Sequence, residues 1–286
     1  MSSSVASLST KGLIALRLLP TRRASDYIRA MGIAITMLCL ASVLLVWDVQ
    51  LKVLQTISRP AARRYLDHAV SGMARRLLSI VRTYGGLTVV RDRRLVTDVP
   101  SPTLVVANHQ SVADIVVLLD ALSGHRIRFV AKAELAHGFP AVSEVLRIQR
   151  HAFVNRTGDF RRAAQEMRRL GRATREGISP VVFPEGTRSR TGEVGTFHAG
   201  AVRSILAASE NVPITAVAVD GGFRFVSVGD ILKGLSSMTY RARLVAVIEH
   251  DGTKLSILDA LSRAQEAVTA QIAAWRADDD EDRGTR

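Results

Sequence analysis

Residues 103–114 read TLVVANHQSVAD. Leu104 to Ala107 is continuously apolar, the pattern of a strand covered on both faces. A polar break, Asn108 to Ser111, follows it, and helical spacing starts at Ala113. The same unit recurs along the chain. Strands are predicted at Leu87–Arg91, Thr103–Ala107, Ile127–Ala131, Ala152–Val154, Val181–Phe183, Ile214–Val219 and Arg243–Glu249. Helices are predicted at Ala113–Leu122, Asp159–Arg175, Ala199–Ser209 and Ser256–Arg276. In the second of these Phe160, Ala163, Ala164, Met167 and Leu170 form the buried stripe, and Asp159 is its N-cap. Strand and helix alternate, so the expected fold is α/β, with a mostly parallel sheet of about seven strands flanked by helices.

N-terminal to this domain the composition changes. The 286-residue chain carries a formal net charge of +13, and its first 100 residues hold 15 basic against 5 acidic residues, a balance of +10. Within them Ala30 to Trp47 contains no charge, with Arg29 and Asp48 as its borders. Eighteen residues make about 27 Å of helix, just short of a hydrocarbon core of about 30 Å. Such a run either spans marginally or dips into one leaflet. Ala61 to Tyr84 follows, with Leu66, Val70, Met73, Leu77, Ile80 and Val81 at helical spacing and arginines off that stripe, the pattern of a basic amphipathic helix lying in the headgroup plane. Pro60 separates the two helices. The expected organisation is a basic segment (1–27), a membrane-docking helical pair (28–84), an α/β domain (85–276) and a tail (277–286) whose acidic run, Asp278 to Asp282, is expected to be disordered. A single cysteine, Cys39, removes disulfide scaffolds and cysteine-based zinc sites, and the bulk of the chain is expected to face a reducing compartment. Phosphate-cradling, dinucleotide-binding and α/β-hydrolase signatures are absent from the sequence.

Two constellations carry chemistry. His109 leaves the end of a predicted strand, where open α/β sheets bind ligands, and Asp114 falls early in the next helix, within reach of the imidazole. That pairing would fix the tautomer and leave the other ring nitrogen as a base. It is the His–Asp half of a triad without its serine, suited to a hydroxyl that the substrate brings. After the strand ending at Phe183 comes Pro184-Glu185-Gly186-Thr187-Arg188-Ser189-Arg190. Gly186 allows close backbone approach, Thr187 can donate to an oxyanion, and Arg188 offers a bidentate fork for phosphate. Glu185 could orient Arg188, meet a substrate hydroxyl or stand as a solvated charge. Arg156, just past a third strand end, is a further phosphate-binding candidate.

The order N-H-x4-D, an Arg after a strand, F-P-E-G-T-R-S and then Val212-Pro213-Ile214 resembles the glycerophospholipid acyltransferase family, above all its bacterial 1-acyl-glycerol-3-phosphate acyltransferases, over roughly residues 85 to 250. The resemblance implies transfer of a fatty acyl group from acyl-CoA or acyl-carrier protein to the free hydroxyl of a lysophospholipid, with no metal or other cofactor. It implies His109 as general base, Asp114 as its partner, and Arg156, Glu185, Gly186, Thr187 and Arg188 as the acceptor-phosphate site. Lys132 matches a further frequent family position. Three departures, His198 after Phe197, Ala216 in the last motif and Asn155 before Arg156, bear on acceptor identity and remove no catalytic group.

The expected mechanism is direct transfer without an acyl-enzyme, by a protein held at the cytoplasmic face of the cell membrane through residues 28–84. A nucleic-acid-binding protein would use the same basic excess, but aromatics are only 5% and no stacking platform is evident. A noncatalytic lipid-binding protein would need the basic helices without His109 and Asp114. Among acyltransferases, the alternative acceptors are a lyso-ornithine lipid or another lysophospholipid.

Overall fold

The structure, a computed structural model, describes residues 21–155, 159–224 and 238–284. Residues 1–20 of the expected basic segment and the last two residues of the tail lie outside them. Helices α1 (Thr21–Ile57) and α2 (Arg59–Gly85) form an antiparallel pair. Ser58 caps α2 by accepting the Ala61 N–H at 3.3 Å. Pro60 sits in the first turn, where its missing N–H costs nothing.

The apolar part of α1 is longer than the sequence suggested. It runs over Ala30–Ile57, 28 residues, and only 17% of its most apolar window is buried. Asp48 does not end it, because that carboxylate accepts the Ala141 N–H at 2.8 Å and pairs with Lys52 at 2.7 Å, so both charges are compensated beside the helix. Met31, Ile35, Leu38, Leu45, Val49, Val53 and Ile57 follow one another at steps of three, four and seven residues along an uncovered face. The other face packs Trp47 and Leu51 against Leu66, Val70 and Met73 of α2 and Val145. In α2 the buried stripe turns onto Leu78 in place of the expected Leu77.

The remaining chain builds β1 (Thr88–Arg91), α3 (Arg94–Thr97), β2 (Leu104–Ala107), α4 (Ala113–Ala121), β3 (Arg126–Lys132), α5 (Val142–Ile148), β4 (Ala152–Val154), α6 (Phe160–Arg172), β5 (Ile178–Val182), α7 (Ala199–Leu206), β6 (Ile214–Asp220), β7 (Thr239–Ile248) and α8 (Lys254–Gly284). One seven-stranded sheet forms in the order β1-β7-β6-β2-β5-β3-β4. Every pairing is parallel except β6 with β7. Five contiguous strands, β6 to β4 in sheet order, therefore deliver their C-terminal ends to one edge. β2 explains its own sequence: Leu104 and Val106 enter the core under α6, α7 and α8, while Val105 and Ala107 enter the core under α2 and α4.

Three elements depart from expectation. β5 begins at Ile178, ahead of Pro180, because the Ser179 hydroxyl accepts the Thr103 N–H at 3.2 Å and covers the place where the ladder to β2 is incomplete. Phe160 is 83% exposed rather than buried, since it opens α6 beyond the edge strand β4, directly after its cap Asp159, which accepts the Arg162 N–H at 2.9 Å. The acidic run is helical, not disordered: α8 continues to Gly284, its Ala264, Val268 and Ile272 pack on the sheet, and Asp279 pairs with Arg241 of β7.

Two acid–arginine clusters bolt α2 to the sheet. Asp67 meets Arg126 at 2.9 Å and also Arg128, a side chain 1% exposed that additionally donates to the Gln149 carbonyl at 2.6 Å. Asp120 of α4 takes Arg75 at 3.1 Å and Arg91 at 2.5 Å. Burial opposes ionisation of Asp67, yet the two arginines outweigh it and hold the carboxyl below its ordinary value. A group with a depressed folded pKa stabilises the fold above its unfolded pKa, near 3.9, and loses that contribution as pH falls through the folded value. Replacing Asp67 with Ala, which leaves Arg128 buried without its carboxylate, should cost about 3–5 kcal/mol at neutral pH and flatten the acid limb of the stability curve, as read by denaturant titration in mild detergent.

Candidate active site

The polar break after β2 is held open by its first residue. The Asn108 amide donates to the Val219 carbonyl and accepts the Val219 N–H, both at 2.9 Å, adding a side-chain rung between β2 and β6. His109 then turns out at the strand end. Its Nδ1 lies 2.7 Å from Asp114 Oδ2, so the expected return of the carboxylate onto the imidazole is present. The same oxygen accepts the backbone N–H of Gln110 at 2.7 Å and of Ser111 at 2.9 Å, which is what the four-residue spacing achieves: the loop wraps the carboxylate at the first turn of α4. Asp114 is 0% exposed and the His109 side chain 17%, leaving the pair buried at its anchor and open at its edge. Nδ1 facing a carboxylate assigns the ring proton to Nδ1 and the lone pair to Nε2. The imidazole face stacks on Phe183 at 4.1 Å and 15°. No described hydroxyl or thiol hydrogen-bonds the ring.

The loop after β5 is stitched to this one through main chain. The His109 N–H donates to Glu185 Oε1 at 2.8 Å, the Gly195 N–H to Oε2 at 3.1 Å, and the Ser189 N–H to the His109 carbonyl at 2.7 Å. Burial pushes the Glu185 carboxyl up from its ordinary value, against the pull of those two N–H groups. Both Glu185 oxygens serve backbone groups, and the side chain clamps two loops together, a role the sequence did not indicate. Gly186 takes a left-handed conformation at φ 67° that favours glycine, and its N–H closes the turn onto the Phe183 carbonyl at 3.1 Å. Thr187 and Arg188 are exposed on the rim, and among the described residues no carboxylate pairs with Arg188. Lys132 is exposed at the end of β3, in register with Val154 of β4. Arg156 lies outside the described residues.

Several site residues escaped sequence reasoning. Tyr240 of β7 donates its hydroxyl to Asp114 Oδ1 across 126 residues of chain. Gln110 gathers the far side of the loop, donating to Asp220 at 2.9 Å and accepting the Gly222 N–H at 3.0 Å. Arg276 of α8 reaches the same region, bonding the Gly192 carbonyl at 2.6 Å and Glu193 at 2.5 Å. Only Phe183 carried a sequence signal, as the aromatic that opens the F-P-E-G-T-R-S run.

The acyltransferase family model matches residues 88–220. The human 1-acyl-sn-glycerol-3-phosphate acyltransferase beta is 34% identical over 135 residues, 47% of this chain and 46% of that protein. A probable 1-acyl-sn-glycerol-3-phosphate acyltransferase of Mycoplasma genitalium is 32% identical over 124 residues, 42% of this chain and 44% of its own length. The lyso-ornithine lipid O-acyltransferase of Rhizobium meliloti is 34% identical over 128 residues, 44% and 39% respectively. The chain thus spans less than half the length of these curated relatives. The crystal structure of the 1-acyl-sn-glycerophosphate acyltransferase PlsC from Thermotoga maritima shares the fold, with a TM-score of 0.64 over 90% of this chain and 98% of that one at 20% identity. The His–Asp loop and the Glu-Gly-Thr-Arg turn both lie inside the segment that the acyltransferase family model matches, which is just under half of this chain.

Proposed function

We propose that the protein transfers a fatty acyl group from acyl-CoA or acyl-carrier protein to the free sn-2 hydroxyl of 1-acyl-glycerol-3-phosphate, giving phosphatidic acid. The observation that carries this reading is a buried Asp114 holding His109 through Nδ1, beside an exposed Arg188 and, among the described residues, with no protein nucleophile on the ring. His109 Nε2 removes the acceptor hydroxyl proton as the oxygen attacks the thioester carbon. The C–O bond forms, the C–S bond breaks, and the imidazolium returns its proton to the departing sulfur. Asp114 stabilises the imidazolium between these steps, and Phe183 limits the ring's tilt. Arg188 and Thr187, with Lys132 and Arg156, bind the acceptor phosphate. Glu185 acts behind them, keeping the two loops in register.

Membrane association fits both substrates, which partition into bilayer, and the uncovered face of α1 supplies the apolar surface for it. The reading places the domain on the cytoplasmic face, held through residues 28–84. A lyso-ornithine lipid acceptor is the second reading, favoured by the similarity to the Rhizobium meliloti enzyme of that name.

An assay of the purified protein against a panel of lysolipids with both thioester donors, scored by mass spectrometry of products, separates these acceptors. Turnover with none of the panel would refute acyl transfer. His109→Ala should lower kcat on the order of 10³-fold, within the 10²–10⁴-fold typical of general bases. Asp114→Asn should lose on the order of 10²-fold or more through the wrong tautomer. Arg188→Ala should raise KM for phosphate-bearing acceptors about 10- to 100-fold, the worth of one charge-assisted contact, with a smaller change for an uncharged analogue. The double substitution Leu38→Asp with Leu45→Asp, both on the uncovered face of α1, should release the protein from sedimenting phospholipid vesicles while leaving its thermal unfolding unchanged.

A further inference from the structure

Asp114 is held from two directions. The loop that carries the catalytic pair sends three donors to Oδ2, and the sheet sends one group, the Tyr240 hydroxyl, to Oδ1. Tyr240 is 0% exposed. Behind it Gly222 approaches so closely that a Cβ there would stand 2.4 Å from the phenol oxygen and 2.9 Å from Ser111 Cβ. The hydroxyl is therefore sealed between the end of β6 and the loop. Burial, with the Asp114 and Asp220 carboxylates, pushes the phenol well above its ordinary range, so Tyr240 remains a neutral donor.

Three donors converging on one oxygen leave a carboxylate free to pivot about that oxygen, and the imidazole would follow. A donor on the second oxygen fixes the carboxylate plane. It also draws charge from the face turned toward the imidazolium. We propose that Tyr240 is a positioning residue of the acyl transfer, fixing the second oxygen of Asp114 and thereby setting both the orientation and the basicity of His109. The catalytic half of this inference rests on the acyl-transfer reading; the link from Tyr240 to the imidazole does not. Among the described residues, the titratable and charged groups about the pair are Glu185 from the loop after β5, Tyr240 itself from β7, and Asp220 from the end of β6 with Arg276 of α8 at 3.8 Å from it. Glu185 and Asp220 are left in place by a change at Tyr240.

The test compares the full-length wild-type protein with Tyr240→Phe in detergent micelles, with histidine rings labelled for NMR and the His109 resonance assigned by its loss in His109→Ala. Removing the donor concentrates charge on Asp114 and favours the imidazolium. The His109 midpoint should rise by about half to one pH unit, and the acidic limb of kcat/KM should move to higher pH with it. Above that limb kcat should fall about 10-fold, while KM for both substrates stays within about twofold. A 3-fluorotyrosine at position 240, a stronger donor of nearly the same shape, should shift the midpoint the other way, and it carries the test alone if Tyr240→Phe does not fold. An unchanged midpoint and limb would overturn the proposal even if kcat fell, because a packing role alone lowers activity without moving either. A midpoint shifted by Tyr240→Phe, with a wild-type protein that turns over no lysolipid, would instead overturn acyl transfer and leave the Tyr240–Asp114–His109 link standing.

Discussion

The site depends on a carboxylate with no access to water. A buried charge must recover from protein donors what it loses in hydration, and Asp114 recovers it from a side chain, two backbone N–H groups and a phenol drawn from two parts of the fold. That requirement explains features that otherwise look unrelated. The loop after β2 must curl tightly enough to aim two N–H groups at one oxygen. β7 must run antiparallel to β6 to set Tyr240 beneath α4. Gly222 must lack a side chain so that the phenol can reach its partner.

The sheet divides labour between its faces. One carries α6, α7 and α8 over a purely apolar core; the other carries α2, whose attachment uses two buried acids, Asp67 and Asp120, each shared by two arginines. Such clusters tolerate little sliding, because displacing one partner strands a charge in a dry environment. Through them the orientation of α1, packed on α2, is fixed relative to the catalytic edge. The helical pair is thereby an extension of the domain rather than a tether.

Much of this was legible in the sequence where the signal is local. Apolar runs such as Leu104–Ala107 and Ile214–Val219 announced two-sided burial, and the spacing from His109 to Asp114 announced their contact. What escaped was compensation between distant residues. Arg241 and Arg243 in β7 obscured the start of a strand at Thr239, because the acids that face them, Asp279 and Asp92, are 38 and 151 residues away. Tyr240 was hidden with that start. Asp279 ties the helical acidic run to Arg241 of β7, and Asp48 read as a border because its partner, the Ala141 N–H, lies 93 residues downstream. The clamping contacts of Glu185 were hidden for a related reason: its partners are backbone groups, which leave no mark in a sequence.

The long reach of Tyr240 bears on when the His109–Asp114 pair is completed during synthesis. The ribosome delivers α1 and α2 first, then His109 and Asp114, and only after more than a hundred further residues the strand that completes the carboxylate's shell. Arg276, which braces the loop through Gly192, emerges later still. A nascent chain therefore carries the uncovered apolar face of α1 well before the Asp114 carboxylate has gathered all its donors.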